Sequence, residues 1–324
     1  MLFLLKNFPF LLLCVIFTLN LHKETGLANV HSYWYHKTVS RLREFFTSRG
    51  FIEVHPQSRQ SFLAIADDIS TISTYKSGEE TFLLPQSAHM WLEFELLKNP
   101  DLPGVFCCST SYRHHKNPVP GRHENIFPIF DFETAGNIET MFELQKDLLK
   151  HFGFDLAALK SASYNDITMD FGVRKIDAAT ESRIGHEYSS IVRIADKPDA
   201  LNPSWSSKRS GEQVKTSDVI LYGTETIGAS ERGTNPEHMR ERFYTIDDGK
   251  FAQTLFDTFG QARVERELGE FLSLDLFPRS TGSIGLTRMI NALRLLDNDQ
   301  RSAEPEVPFF EERATSISAK SLVI

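Results

Sequence analysis

Asp218, Glu225 and Arg232 recur at intervals of seven residues along one short stretch. Asp218-Val219-Ile220-Leu221-Tyr222 reads as a buried strand, a β-branched and apolar run that Gly223 closes. A second extended piece follows from Glu225 to Ser230. Paired as adjacent antiparallel strands, the two pieces would bring two carboxylates and one guanidinium onto one surface. Carboxylates that close repel each other unless a cation sits between them, and such an oxygen site suits Mg2+. An arginine nearby offers a planar fork to a carboxylate or an amide. For this stretch alone, a solvated hairpin with scattered charges is the alternative.

A second group of chemically active residues lies upstream. Val105 to Arg113 reads as a strand that ends in a cation, and Ile126 to Glu133 returns as its partner. The loop between them, His114 to His123, carries Lys116 and Arg122 among its histidines. Such a loop can grip a polyphosphate, because arginine pairs bidentately with phosphate oxygens. A merely basic surface loop is the other reading. His114, His115 and His123 follow no metal-ligand spacing of known geometry.

Two further segments would flank these strands. Pro85-Gln86-Ser87 opens a helix with Ser87 as its N-cap, and a helix start facing a cleft receives an anion or a polar group. Thr281 to Met289 is a glycine-containing strand that runs into a helix over Met289 to Leu296. Its glycines let a flat ligand approach the backbone, and Arg288 sits at the helix start.

The remaining elements form a frame. His36 to Arg49 has helical spacing through Val39, Leu42, Phe45 and Phe46, and a strand over Phe51 to Val54 follows. Residues 57–80 are polar and read as a loop or lid. Thr81 to Leu84 is a short strand, Ile138 to Phe152 a helix, and residues 164–190 a helical and loop insert. Ile191 to Ile194 starts a further strand, and helices fill Met239 to Asp275. The tail after Asp297 is polar.

The chain has 324 residues, enough for a large core. A net charge of -8 and a pI near 5.8 give no support for DNA or other non-specific nucleic-acid binding. The three cysteines, Cys14, Cys107 and Cys108, form neither a disulfide framework nor a zinc site, which favours a reducing compartment. Phe10 to Phe17 is an unbroken apolar run of eight, like the core of a secretory signal. Lys6, Asn7, Pro9 and Asn20 interrupt it as a membrane span. The expectation is a cytoplasmic protein, with a secreted or membrane-associated one as the alternative.

Taken together, residues 36–296 resemble the catalytic domain of class II aminoacyl-tRNA synthetases, in the subclass for aspartate, asparagine and lysine. Gly50-Phe51-Ile52-Glu53-Val54-His55-Pro56 resembles motif 1, which in the family builds a homodimer interface. Tyr112-Arg113 through Arg122-His123, Phe127, Asp131 and Glu133 resembles motif 2. Gly282-Ser283-Ile284-Gly285-Leu286-Thr287-Arg288 resembles motif 3. The resemblance implies an α+β fold with a class II synthetase-like antiparallel β-sheet flanked by helices. It also implies a segment 1–30, a catalytic domain 31–300 and a tail 301–324.

By the same resemblance, Arg113 and Arg288 are catalytic, with Arg113 contacting the α-phosphate of ATP and the substrate carboxylate. Arg122 or His123, together with Arg288, would hold the outer phosphates, Phe127 would stack on adenine, and Gly285 would line the nucleotide. Asp218 and Glu225 match the magnesium carboxylates, with Glu225 also near ATP. Ser87, His89 and Asp131 fall where the substrate's α-amino group and side chain bind, and Arg232 matches the arginine for an Asx side chain.

Some positions depart from the pattern. His115 and Ile126 replace two glutamates of motif 2, and Leu92 is asparaginyl-like whereas Asp131 is aspartyl-like. No anticodon-binding domain is expected ahead of motif 1. The implied activity is ATP-dependent adenylation of aspartate or asparagine, with the acyl group passing to ammonia or another amine. A minimal tRNA ligase and a non-catalytic regulator on the same fold are the alternatives.

Overall fold

Along the strands that form the centre of the molecule, apolar and polar residues alternate with the two-residue period of a sheet buried on one face. In Phe130-Asp131-Phe132-Glu133 the phenylalanines go one way and the carboxylates the other; Gly282-Ser283-Ile284 and Asp218-Val219-Ile220-Leu221 follow a similar rule. The computed structural model describes residues 30–62, 69–114, 124–201 and 204–303. The expected segments 1–30 and 301–324, Arg122, His123 and His115 lie wholly or almost wholly outside them.

The chain starts with α1 (Ser32–Thr47) and β1 (Ile52–Glu53), then a hairpin of β2 (Ser73–Ser77) and β3 (Glu80–Leu84), and α2 (His89–Lys98). β4 (Gly104–Tyr112) and β5 (Ile126–Ala135) lead to α3 (Ile138–His151), β6 (Leu159–Ser163), α4 (Tyr164–Asp170) and α5 (Ala178–Arg183). β7 (Ile191–Pro198), β8 (Arg209–Ser210), β9 (Gln213–Leu221) and β10 (Thr224–Glu231) follow. Three helices, α6 (Pro236–Thr245), α7 (Lys250–Phe259) and α8 (Gln261–Leu272), precede β11 (Arg279–Gly285) and α9 (Leu286–Ala303).

The main sheet has nine strands in the order β1-β4-β5-β11-β10-β9-β7-β6, with β8 beside β9. Its pairings are antiparallel except β1 with β4 and β6 with β7. The expected α+β class with a mainly antiparallel sheet flanked by helices is therefore what the chain adopts. The apolar face packs under α1, α3 and α9, with Phe46 at its centre. The Phe46 ring lies 5.2 Å from Phe130 and 4.8 Å from Phe132, centroid to centroid. Each such buried side chain stabilises the fold by roughly 1.5–3 kcal/mol, so this aromatic stack anchors the sheet to α1. Helices α6–α8 form a second cluster around Phe62, Trp205, Phe243 and Phe271.

Four details correct the sequence reading. Residues 73–77 are a strand paired with β3 rather than loop, because its short polar run carries no apolar period. Ser87 does not cap α2; the helix starts at His89, with Ala88 as an N-cap that makes no side-chain hydrogen bond. β6, an exposed polar edge strand, carries no sequence signal beyond its pairing with β7. The last helix continues past Leu296 to Ala303, since a polar surface on an outer helix is compatible with helical periodicity. Cys107 and Cys108 are free thiols, as expected. No helix among the described residues is long and apolar enough to cross a membrane.

Candidate active site

The polar face of the sheet is a grid in which register determines every neighbour. One cross-strand row runs Cys107, Asp131, Ser283, Gly228. Asp218 continues it, and a Cβ on Gly228 would lie 3.5 Å from both Asp218 Oδ1 and Glu225 Oε1. The next row on the same face runs Val105, Glu133, Thr281, Ser230, Thr216. Arg232 lies one row further, where its N–H donates to the Arg279 carbonyl at 2.9 Å. Four residues of extended strand separate Arg232 from Gly228, about 13 Å at the usual rise. The two carboxylates and the guanidinium thus share a face, as expected, but do not converge.

The first row carries a hydrogen-bonded trio. Asp131 is fully buried and accepts the Ala88 N–H at 2.8 Å. Ser283 donates its hydroxyl proton to Asp131 Oδ1, so His89 Nε2–H is the donor to Ser283 Oγ. His89 Nε2 also lies 3.2 Å from Asp131 Oδ1. Burial opposes the charge on Asp131, but His89, Ser283 and the Ala88 N–H together hold its carboxyl below the usual range. Ser87, one residue before Ala88, has a buried hydroxyl without a hydrogen-bond partner among the described residues. Buried hydroxyls are normally satisfied, so Ser87 fits a polar ligand group.

At the other end, Arg232 is 4% exposed and Glu93 and Arg279 are 0% exposed. Glu93, on the inner side of α2, takes Arg279 Nε at 3.1 Å and faces Arg232 Nε at 3.3 Å. Arg232 Nη1 donates to Ser206 Oγ at 2.9 Å. Burial and the Glu93 charge push Glu133, in the same group, up to about 8 against the pull of Arg232 and Arg279. The protonated form of Glu133 is thus favoured well above the usual carboxyl range.

That proton has a consequence for stability. Between the unfolded carboxyl value near 4.3 and about 8, the folded protein holds a proton that the unfolded chain has lost. Stability should therefore fall as pH rises through that window. Glu133→Gln, which fixes the neutral form, is expected to flatten this part of a urea-unfolding profile. A slope as steep in the variant as in the parent protein would rule out Glu133 as its source.

The magnesium expectation meets a third arrangement. Lys197 Nζ contacts Asp218 Oδ2 and lies 3.9 Å from Glu225 Oε2. Burial and Glu225 push Asp218 up to about 6, with Lys197 pulling the other way. Burial works against the Lys197 ammonium too, but the two carboxylates outweigh it and raise its pKa. Among the described residues no group of three or more His, Cys, Asp or Glu is placed to hold a metal. Mg2+ is commonly held by one or two carboxylates with water and substrate phosphates, but here the Lys197 ammonium already sits against both carboxylates, and that is what does not fit the ion.

The hairpin that carries Asp218 and Glu225 is held from behind. Tyr222 and Gly223 take positive φ values of 49° and 78° at its turn. Gly185 packs so closely there that a Cβ would lie 2.4 Å from the Gly223 nitrogen. Glu181 accepts the Glu225 N–H at 2.9 Å.

The nucleotide candidates lie towards the same end of the sheet. The Arg113 guanidinium is 5.5 Å from the centroid of the Phe127 ring. Arg288 Nη1 donates to the Glu225 carbonyl at 2.7 Å, and Gly285, beside it, pairs with Ile129. The sequence reading missed Glu93, Lys197, Ser206, Arg279 and Ser283. Only Glu93 left a signal, a charge on the inward side of a mostly apolar helix.

A family model described as class II tRNA synthetases (D, K and N) matches residues 30–291. The chain belongs to that family. Solved structures similar to this chain share its fold at low identity. Asparaginyl-tRNA synthetase of Pyrococcus horikoshii, complexed with asparaginyl-adenylate, superposes with a TM-score of 0.66 at 19% identity, over 82% of this chain and 65% of that one. The Entamoeba histolytica asparaginyl enzyme with asparaginyl-adenylate gives 0.65 at 15% identity, over 81% and 63%. Aspartyl-tRNA synthetase from Entamoeba histolytica gives 0.61 at 15% identity, over 84% and 61%. The chain thus spans less than two thirds of the length of these relatives. No curated protein matches it by sequence.

Proposed function

We propose that this chain is an AMP-forming ligase that activates aspartate or asparagine with ATP as an aminoacyl-adenylate. The observation that carries the reading is the polarity of the cradle. A buried anion, Asp131 with His89 and Ser283, lies at one side, and a buried guanidinium, Arg232, at the other. That order suits an α-ammonium group and an Asx side chain on one small molecule. Family membership and two neighbours holding asparaginyl-adenylate support it.

In the reaction, the α-carboxylate is already ionised near pH 7, its unperturbed pKa being about 3.5, so no general base is needed. One carboxylate oxygen attacks the α-phosphorus in line; the bond to the bridging oxygen breaks and pyrophosphate leaves with that electron pair. Arg113 and Arg288 neutralise the charge that develops on the phosphates, and Phe127 stacks on adenine. The resemblance to the family's motif 2 assigns Arg122 or His123 to the outer phosphates. Ser87, His89 and Asp131 orient the α-amino group. The acyl group then passes to an amine or to a tRNA hydroxyl, within a homodimer formed through motif 1.

ATP–pyrophosphate exchange on the full chain tests the reading, with aspartate and asparagine offered separately. Exchange with one of them is expected. Ammonia and tRNA, added in turn, then identify the acceptor by their product. ATP binding without exchange for either amino acid would overturn the assignment, and loss of ATP binding would mark a synthetase-like protein without the chemistry.

A further inference from the structure

We propose that Lys197 is the built-in cation of the Asp218–Glu225 pair, so that in this chain the protein itself holds no divalent ion there. The inference does not depend on which amino acid is activated. It starts from register. Ile194 on β7 stands opposite Asp218 on β9, which puts both on the polar face of the grid. Continued regularly, β7 would send residue 196 to that face and Lys197 to the opposite one. A register shift between Ala195 and Lys197 breaks the alternation. Asp196 takes a φ of 57° at that point, a conformation non-glycine residues seldom adopt.

The bulge swaps the two side chains. Asp196 turns to Lys215, with Oδ2 and Nζ 3.0 Å apart, and Lys197 turns to the carboxylates. The Lys197 backbone N–H is secured by Thr216 Oγ1 at 3.0 Å. Strain of this kind persists only where surrounding contacts over-determine it, and here its product is an ammonium at a defined point.

The placement answers the electrostatic problem that the two carboxylates raise. A buried carboxylate pair requires a positive charge, and an ammonium supplies one with three directed donors. Lys197 is 23% exposed on its side chain, with Asp218 at 8% and Glu225 at 34%, so the cation is partly screened from solvent. A covalently attached cation is present at every metal concentration. It also repels a second cation from the same oxygens at short range.

Mn2+, which reports through the electron paramagnetic resonance of the free ion, is the probe. Nucleotide-free protein of the native sequence is titrated beside Asp218→Asn, Lys197→Met and the double variant Lys197→Met/Asp218→Asn. The native protein should show no Mn2+ binding that Asp218→Asn removes. Lys197→Met should gain one ion per chain, lost again in the double variant. Mn2+ should then raise the melting temperature of Lys197→Met but not of the native protein. One Mn2+ bound per native chain and lost in Asp218→Asn would overturn the proposal, as would a folded Lys197→Met that gains none. If Lys197→Met fails to fold, the comparison of native protein with Asp218→Asn still decides, and Lys197→Gln replaces it in the gain arm.

Discussion

Arg279→Met is expected to destabilise the protein by about 3–5 kcal/mol, the usual loss when one partner of a buried ion pair is removed. Arg279 is fully buried and donates to Glu93 through Nε at 3.1 Å and to the Phe277 carbonyl through Nη1 at 2.8 Å. Without it, Arg232 alone would face Glu93, and no solvent reaches the group to share the charge. For a domain of this size, each kcal/mol shifts the melting temperature by about 2–4 °C, so a drop on the order of 10 °C should appear in a circular-dichroism melt. Arg279→Met combined with Glu93→Gln should recover none of the loss, because Glu93 is also the anion that faces the buried Arg232. A melting temperature within about 2 °C of the parent protein for Arg279→Met alone would show that the pair is dispensable.

The second large effect concerns the chemistry. Arg232→Ala should lower exchange with the Asx substrate by about two to three orders of magnitude in kcat/KM, as when a buried charged hydrogen-bonding group is truncated. Binding of ATP should change little, because the nucleotide candidates Arg113, Phe127 and Arg288 lie at the other end of the face. The same substitution leaves Glu93 with Arg279 as its remaining cation, so some stability is lost as well. Exchange is therefore measured well below the melting temperature, beside nucleotide binding and beside Arg232→Lys. Lysine keeps the charge but loses the fork, so it should restore stability more fully than activity. Equal losses of ATP binding and exchange would make Arg232 a structural or phosphate-binding residue.

Much of this architecture was legible in one sequence because period and order are local properties. Alternation in Phe130 to Glu133 and the spacing in Val39 to Phe46 identify the strand and the helix that bury each other. The succession of Arg113, Phe127, Asp131, Asp218, Glu225, Arg232 and Arg288 was enough to suggest the family. Parity alone would send Glu225, an odd seven residues from Arg232, to the opposite face; the register shift between Glu225 and Ile227 brings it back to the face of Asp218.

What a residue touches once it faces the right way was decided only by tertiary structure. Asp131 meets Ser283 across a strand pair that joins positions 152 residues apart, and Glu93 meets Arg279 across 186. Strand register fixes the first pairing and helix docking the second, and neither leaves a trace in nearby residues. Arg232 was matched to the substrate side chain, but four residues of rise carry it away from Asp218 and α2 supplies Glu93 beside it. Lys197 was least legible of all. By parity it belongs on the opposite face, and the bulge that turns it toward Asp218 forms only once β7 and β9 are paired.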